Sequence, residues 1–405
     1  MLSFKSADVR STSSDRAIDE CISEMYGDAE PEAGTMWIVN ACIGHRLDNI
    51  ADAIRARVPD VLVVGGSCGG IIGCEGAGEA MTHLAVLVVR GSEDELAYSV
   101  VDGYGGAVAY EKGLELARNL MHKLPDAHVI YLLAPGLDAR NDELLRALTE
   151  TFGSGTIIFG GVSSDNNKGI MTSQYIGDRA SARGAWAIGF ADKTLHASTS
   201  TTHGFLAYGE PMTVTKAEGN VIIEFDGRPA WEVYSERLGR FCADEVQSLF
   251  IAGGLAKELS AEQAEKYGNT HILRGGFPGG EDGSIRLSVS ANVGDRYCLT
   301  ARDEERVFAA QKKALETMCA DIAAKSLDGK IHPVAVFQTD CLFRGRLLFG
   351  KVMKDEIIGM MQSALLDEDN EVPPWLGMYG FGEFCPLAGE NLFHTYTSSL
   401  LVLYR

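Results

Sequence analysis

Nowhere in this 405-residue sequence do about 20 apolar residues run together, so no segment reads as a membrane-spanning helix. The opening Met1-Leu2-Ser3-Phe4-Lys5-Ser6 lacks the apolar core of a secretory signal, which makes the cytoplasm the expected location. The nine cysteines form no CxxC pair and show no zinc-site spacing, so free thiols in a reducing compartment are expected. HExxH, paired HxH and CxxCH are all missing, which leaves a metal site without motif support. Positive charge is scarce: 36 lysines and arginines face 56 acidic residues, for a net charge of −20. That balance speaks against broad contact with nucleic acid or an anionic membrane surface, while leaving room for a small anion held by one or two arginines.

What the sequence does have is a repeat. One grammar recurs three times: an apolar strand, a helix, a second strand running into glycines, and a closing strand. The first copy runs from Met36-Trp37-Ile38-Val39 through Val61 to Ser67 and on to Leu84–Val89. The second runs from Val129–Leu133 through Thr156–Ser163 to Ala185–Phe190, and the third from Val334–Phe337 through Leu376–Glu383 to Leu400–Tyr404. Helical spacing predicts helices over 45–58, 107–123 and 303–326, an outer helix within 15–35, and one beginning after Asp138 as N-cap. From 195 to 239 the pattern turns to β alternation, with a hairpin turn at Asp226-Gly227 and a short helix over Ala230–Leu238 after Pro229. The expected fold is α/β: two domains of mixed sheets with flanking helices, divided near residue 240.

The glycine turns invite chemistry that their neighbours do not support. Gly65-Gly66-Ser67-Cys68-Gly69-Gly70 has no GKS or GKT ending, which excludes a P-loop, and a dinucleotide fingerprint is weak without a helix start. GxSxG is absent, so Ser67 or Cys68 as a nucleophile rests only on its place in a turn, with His45 or His83 as base. A tight turn of small residues is the plainer reading.

The third copy is more pointed. Asp340-Cys341-Leu342-Phe343-Arg344 follows one strand and Gly380-Phe381-Gly382-Glu383 follows its partner. If those strands are neighbours, Arg344 and Glu383 come together, suited to a zwitterion such as an amino acid, or simply to each other. His203 and His394, each beside a strand, read either as hydrogen-bonded structural histidines or as candidate haem ligands.

Several short motifs in order make the chain resemble the FIST family over roughly residues 35 to 405. They include Phe159-Gly160-Gly161-Val162-Ser163-Ser164-Asp165, Gln174-Tyr175-Ile176-Gly177, His203-Gly204-Phe205, Cys341-Leu342-Phe343-Arg344-Gly345, Leu376–Glu383 and Phe393-His394-Thr395-Tyr396-Thr397. The resemblance implies an N-terminal module over 36–239 and a C-terminal module over 240–405, after an extension over 1–35. It also implies a non-catalytic sensor of small molecules in prokaryotic signalling, passing its signal to a separate protein. A similar subset, the NosP-type proteins, binds haem through a histidine to sense nitric oxide. The first glycine turn departs from the family pattern by lacking the acidic residue that usually follows, which allows a different ligand.

The leading expectation is therefore a ligand held between repeats. Arg344, Glu383 and Cys341 would contact it, over a floor of Gly65, Gly66, Ser67, Gly160, Gly161 and Gly382. The rivals are a haem sensor using His203 or His394, and a hydrolase or transferase using Ser67, Cys68 or Cys341.

Overall fold

The computed structural model describes residues 1–239, 254–278 and 282–405. Each of the three repeats builds its own six-stranded sheet. Two parallel strands form its centre: Met36–Cys42 with Leu62–Cys68, Val129–Ala134 with Ile157–Val162, and Pro333–Cys341 with Trp375–Gly380. The closing strands, His83–Arg90, Ala185–Phe190 and Ser398–Tyr404, lie antiparallel to the first member of each pair.

An edge strand precedes each copy, and only the third falls in a stretch whose sequence reads as β. Ser3–Arg10, Leu96–Val101 and His196–Thr202 pair with the three closing strands in turn. The remaining edge is covered by exchange. The hairpin Ile71–Gly78 of the first copy completes the third sheet. Gln174–Ser181 of the second completes the first, and Gly382–His394 of the third completes the second. The three copies form a closed cycle in which each covers a neighbour's unpaired edge.

Two helices cover the outer face of each sheet: Ser14–Tyr26 and Leu47–Arg55, Ala109–Lys123 and Asn141–Phe152, Glu304–Lys325 and Arg346–Ala364. The inner faces meet in one core that draws on all three copies, including Val64, Leu87, Tyr131, Trp186, Phe337 and Leu401. The rings of Tyr131 and Phe337 stand 4.6 Å apart there, and the Trp186 indole donates across sheets to the Gly65 carbonyl at 3.0 Å. Burial on both faces explains why the strands read as continuous apolar runs and not as alternation.

The β-alternating stretch from 195 to 239 is split in two. Its start is the edge strand His196–Thr202, and the rest opens a large insertion within the third copy. That insertion is an eight-stranded sheet containing Leu206–Glu218, Leu255–Glu258, His271–Arg274 and Arg296–Ala301. The turn at Asp226-Gly227 is present with φ of 51° and 78°, the left-handed pair that a two-residue hairpin requires. The boundary expected near 240 falls at the start of 240–253, outside the described residues.

Two local expectations change. Asp138 is not a cap: it takes a left-handed turn at φ 49°, and the helix begins at Asn141 without a side-chain cap. The glycines of the first turn, Gly65 and Gly66, lie inside the strand Leu62–Cys68. Hydrogen bonds on both sides, to Met36–Cys42 and to Gln174–Ile176, hold them extended.

Candidate functional site

The third copy does bring its two charged strand ends together. Cys341 pairs with Gly380 in register, which places Asp340, Arg344 and Glu383 in one buried group. Within it Arg344 and Glu383 do not bond each other. Arg344 Nη1 donates to the carbonyls of His203 at 3.1 Å and Tyr396 at 3.4 Å, and Nη2 donates to Gln311 Oε1 at 3.2 Å. Its guanidinium lies 5.1 Å from the Phe349 ring centre. Glu383 Oε2 accepts from Thr397 Oγ1 at 2.6 Å and from the Thr397 amide at 3.2 Å. Asp340 accepts from Ser398 at 2.7 Å and Gln338 at 2.9 Å.

Burial pushes the Glu383 carboxyl well above its ordinary range, outweighing the Thr397 hydrogen bonds, and the Asp340 charge adds to the rise. Burial likewise raises Asp340, opposed by the Arg344 charge. With one guanidinium facing two carboxyls, keeping a proton on Glu383 balances the group. The free space beside Arg344, Asp340 and Tyr379 is about 160 Å³, but it is a slot too narrow for a water molecule. Phe349, Ile357 and Ile358 of helix Arg346–Ala364 close over it.

The glycines act between sheets. A Cβ on Gly161 would stand 2.5 Å from Thr339 Cγ2 and 2.8 Å from Met378 Cε, and one on Gly66 would meet Leu133 and Ser163. Gly160 sits beside Gly161 in the strand Ile157–Val162, and Gly382 opens the exchanged strand Gly382–Leu387. Gly66 and Gly161 let neighbouring copies approach, whereas a Cβ on Gly160 would strike the Leu132 backbone of its own sheet and one on Gly382 the Phe393 ring of its own hairpin.

None of the three candidate nucleophiles is activated. Ser67 Oγ donates to the Ser164 carbonyl at 2.9 Å and accepts from the Ser173 amide at 3.0 Å. Burial pushes the thiols of Cys68 and Cys341 far up, away from the thiolate. His45 bonds Ser14 and the Thr82 carbonyl, while His83 bonds Ala80, so neither is placed as their base.

The haem reading can be tested on the two histidines. His203 uses both ring nitrogens: Nε2 lies 3.0 Å from the His271 carbonyl, and Nδ1 accepts from the Phe205 amide at 2.9 Å. His394 Nε2 is bonded to the Cys385 carbonyl at 3.0 Å. Its Nδ1 is buried without a partner, beside Tyr267 at a ring separation of 6.3 Å. Burial lowers the two imidazoles to about 4 and about 3, so both are neutral structural groups. His203 therefore has no ring nitrogen left for haem iron, and the one free nitrogen of His394 is enclosed in the packed interior.

Open space lies elsewhere, and the sequence reading did not find it. A cleft of about 370 Å³ runs between helix Asn141–Phe152, the insertion sheet and the end of hairpin Gly382–His394. In the insertion Lys257 pairs with Tyr297 and Leu255 with Arg274, so the strand period of two sets Lys257, Arg274 and Tyr297 on one face. Arg274 Nη1 donates to the carbonyls of Phe393 at 2.7 Å and Leu273 at 3.2 Å, which fixes the guanidinium at the cleft wall. Asp142, Glu150 and Glu390 supply opposite charge around the same cleft. Two of its lining residues carry buried polar atoms without partners, Asp142 Oδ1 and Tyr297 OH. The one advance signal was a charged residue, Arg274, standing at the end of an apolar strand.

Comparison with known proteins agrees with the motif reading. The FIST N domain matches residues 37–228, and the FIST C domain matches residues 230–386. An uncharacterized protein of Mycobacterium tuberculosis is 27% identical over 286 residues, covering 68% of each chain. One of Mycobacterium bovis is 26% identical over 276 residues, covering 68% of this chain and 67% of the other. Among solved structures, the cyanuric acid hydrolase from A. caulinodans aligns over 100% of this chain and 99% of its own at 9% identity, with a TM-score of only 0.37. A likeness that low carries nothing to this protein. No helix among the described residues is long and apolar enough to cross a membrane. With both models together spanning most of its length, the chain belongs to the FIST family of sensory domains.

Proposed function

We propose that this chain is a small-molecule sensor of prokaryotic signal transduction whose ligand occupies the cleft between the second repeat and the insertion. The observation that carries this reading is the cleft's mixed charge: a fixed guanidinium at Arg274, with the Lys257 ammonium beside it paired to Asp295 at 2.9 Å, set against Asp142, Glu150 and Glu390. Separated charges of both signs around one cleft suit a zwitterion, which makes an amino acid or related metabolite the favoured ligand class. Arg274 takes the carboxylate, and Asp142 Oδ1 accepts from the ammonium. The signal then passes to a separate protein.

Thermal-shift screening of the full chain against amino acids and small carboxylic acids tests the ligand class. A true ligand at 100 times its dissociation constant is expected to add about 2.7 kcal/mol of stability. Asp142→Asn and Tyr297→Phe should abolish that gain while leaving the unliganded melting point near its original value. A panel in which nothing stabilises the protein, or a stabiliser indifferent to both substitutions, removes this cleft as the sensing site.

A further inference from the structure

The insertion sheet has a second face, turned toward the helices of the third copy. The strands that set Lys257, Arg274 and Tyr297 on one side carry Glu258, His271 and Cys298 on the other. Glu258 lies directly opposite His271, and Cys298 lies opposite Ala256. One ligand-capable atom from each of the three falls within 4.8 Å of the other two. Among the described residues no hydrogen bond joins them to one another. His271 Nε2 is buried without a partner, while Nδ1 is bonded to Thr270 Oγ1 at 2.8 Å. Cys298 is 6% exposed. Arg296 pairs with Glu258 Oε2 at 3.0 Å, which leaves Oε1 available. His271 also borders an open cleft of about 330 Å³, which it shares with Phe205, Asn269, Thr270 and Arg306.

We propose that Glu258, His271 and Cys298 form a three-ligand site for a borderline divalent cation of the Zn²⁺ class, with one coordination position left open toward that cleft. The donor set decides the metal class. A thiolate, an imidazole and a carboxylate suit Zn²⁺ or Co²⁺, whereas Ca²⁺ and Mg²⁺ take oxygen ligands almost alone. Bonds of about 2.0–2.3 Å require the donors of a tetrahedral site to stand roughly 3.3–3.8 Å apart, so the three atoms need close by only about 1 Å. The Thr270 contact supplies the outer hydrogen bond that fixes ring orientation in such sites. On binding, the Cys298 proton leaves to water, and the thiolate and Glu258 carboxylate together neutralise the ion. The metal then ties Leu255–Glu258, His271–Arg274 and Arg296–Ala301 together.

Co²⁺ titrated into the chelator-stripped full chain is expected to saturate at one equivalent, giving tetrahedral visible bands and a near-ultraviolet thiolate charge-transfer band. Cys298→Ser should remove the charge-transfer band. Competition against a chromogenic chelator should show Zn²⁺ affinity falling at least about tenfold in His271→Ala and about tenfold in Thr270→Ala. Arg296→Ala, which withdraws a competing cation from Glu258, should tighten binding. Circular dichroism checks each fold, and Glu258→Gln, on a partly exposed side chain, carries the same test should Cys298→Ser fail to fold. A Co²⁺ spectrum without the thiolate band overturns the proposal. So does an affinity that survives all three ligand substitutions, or that follows Cys319→Ser instead.

Discussion

Arg344 and Arg274 are bonded alike and surrounded differently. Each stands at or just past a strand end, and each gives Nη1 to two main-chain carbonyls. Beyond that they part. Helix Arg346–Ala364 folds back over Arg344, with Phe349 under its guanidinium and a slot too narrow for water beside it. Among the described residues no helix folds over Arg274 in that way: burial does pull its guanidinium below the ordinary arginine value, but it lines a cleft of about 370 Å³. A strand-end arginine is thus sealed inside the fold or left at the wall of a cleft according to what the next element covers, a property of packing and not of the residue.

The contrast can be broken most sharply at Arg344. Arg344→Ala leaves two main-chain carbonyls and two buried carboxyls without their cation, and should cost about 3–5 kcal/mol in denaturant unfolding. A loss below about 1 kcal/mol would show that the third-copy group is not a fastener.

Next in size is a pH effect. His203 and His394 are held neutral, with folded values of about 4 and about 3 against an ordinary value near 6.5. A depressed histidine contributes stability above its unfolded value and loses it as the pH falls toward the folded one. Each should therefore cost about 1.4 kcal/mol per pH unit below roughly pH 6.5. Unfolding free energies measured from pH 7 to 5 check the slope, which the raised Glu383 carboxyl opposes, and His394→Gln should make stability fall less steeply with falling pH by about 1.4 kcal/mol per unit.

Smaller again is Gly161→Ala, whose new methyl meets Thr339 and Met378 across the sheet boundary and should cost about 1–3 kcal/mol. An unchanged melting point would mean that the copies have slack where they meet. Least disruptive of all is Lys257→Ala, which breaks the 2.9 Å ion pair with Asp295 and is expected to cost about 1 kcal/mol or less while weakening an acidic ligand. Isothermal titration beside a melting curve separates the two effects.

The sequence carried the repeat plainly, because strands buried on both faces announce themselves as runs such as Leu84–Val89 and Leu400–Tyr404. It hid the first two edge strands. Ser3–Arg10 is half exposed and mixes charged with apolar residues, so its pairing with His83–Arg90 depends on a partner distant in the chain. The repeat implied a helix between Phe337 and Leu376 but not its bounds, since Gly350, at φ 66°, breaks Arg346–Ala364 after its first turn. The hairpin exchange left no local trace, since register between copies is decided only when the copies meet. The pairing of their strands brings Arg344, Glu383 and Cys341 together, but no local pattern showed that the following helix packs over them. The cleft gathers Asp142, Lys257, Arg274, Tyr297 and Glu390 from far-separated segments, and no spacing rule connects those.

The exchanged hairpins also set a timetable for synthesis. The strand Ile157–Val162 emerges long before Gly382–Leu387, the strand that covers its edge, because Gly160 must wait for Phe384. At roughly 5–20 residues per second the wait is on the order of tens of seconds. Throughout it the newborn chain displays an apolar sheet margin open to any passing strand, so its yield in the cell is expected to depend on whatever shields that margin until the last repeat leaves the ribosome.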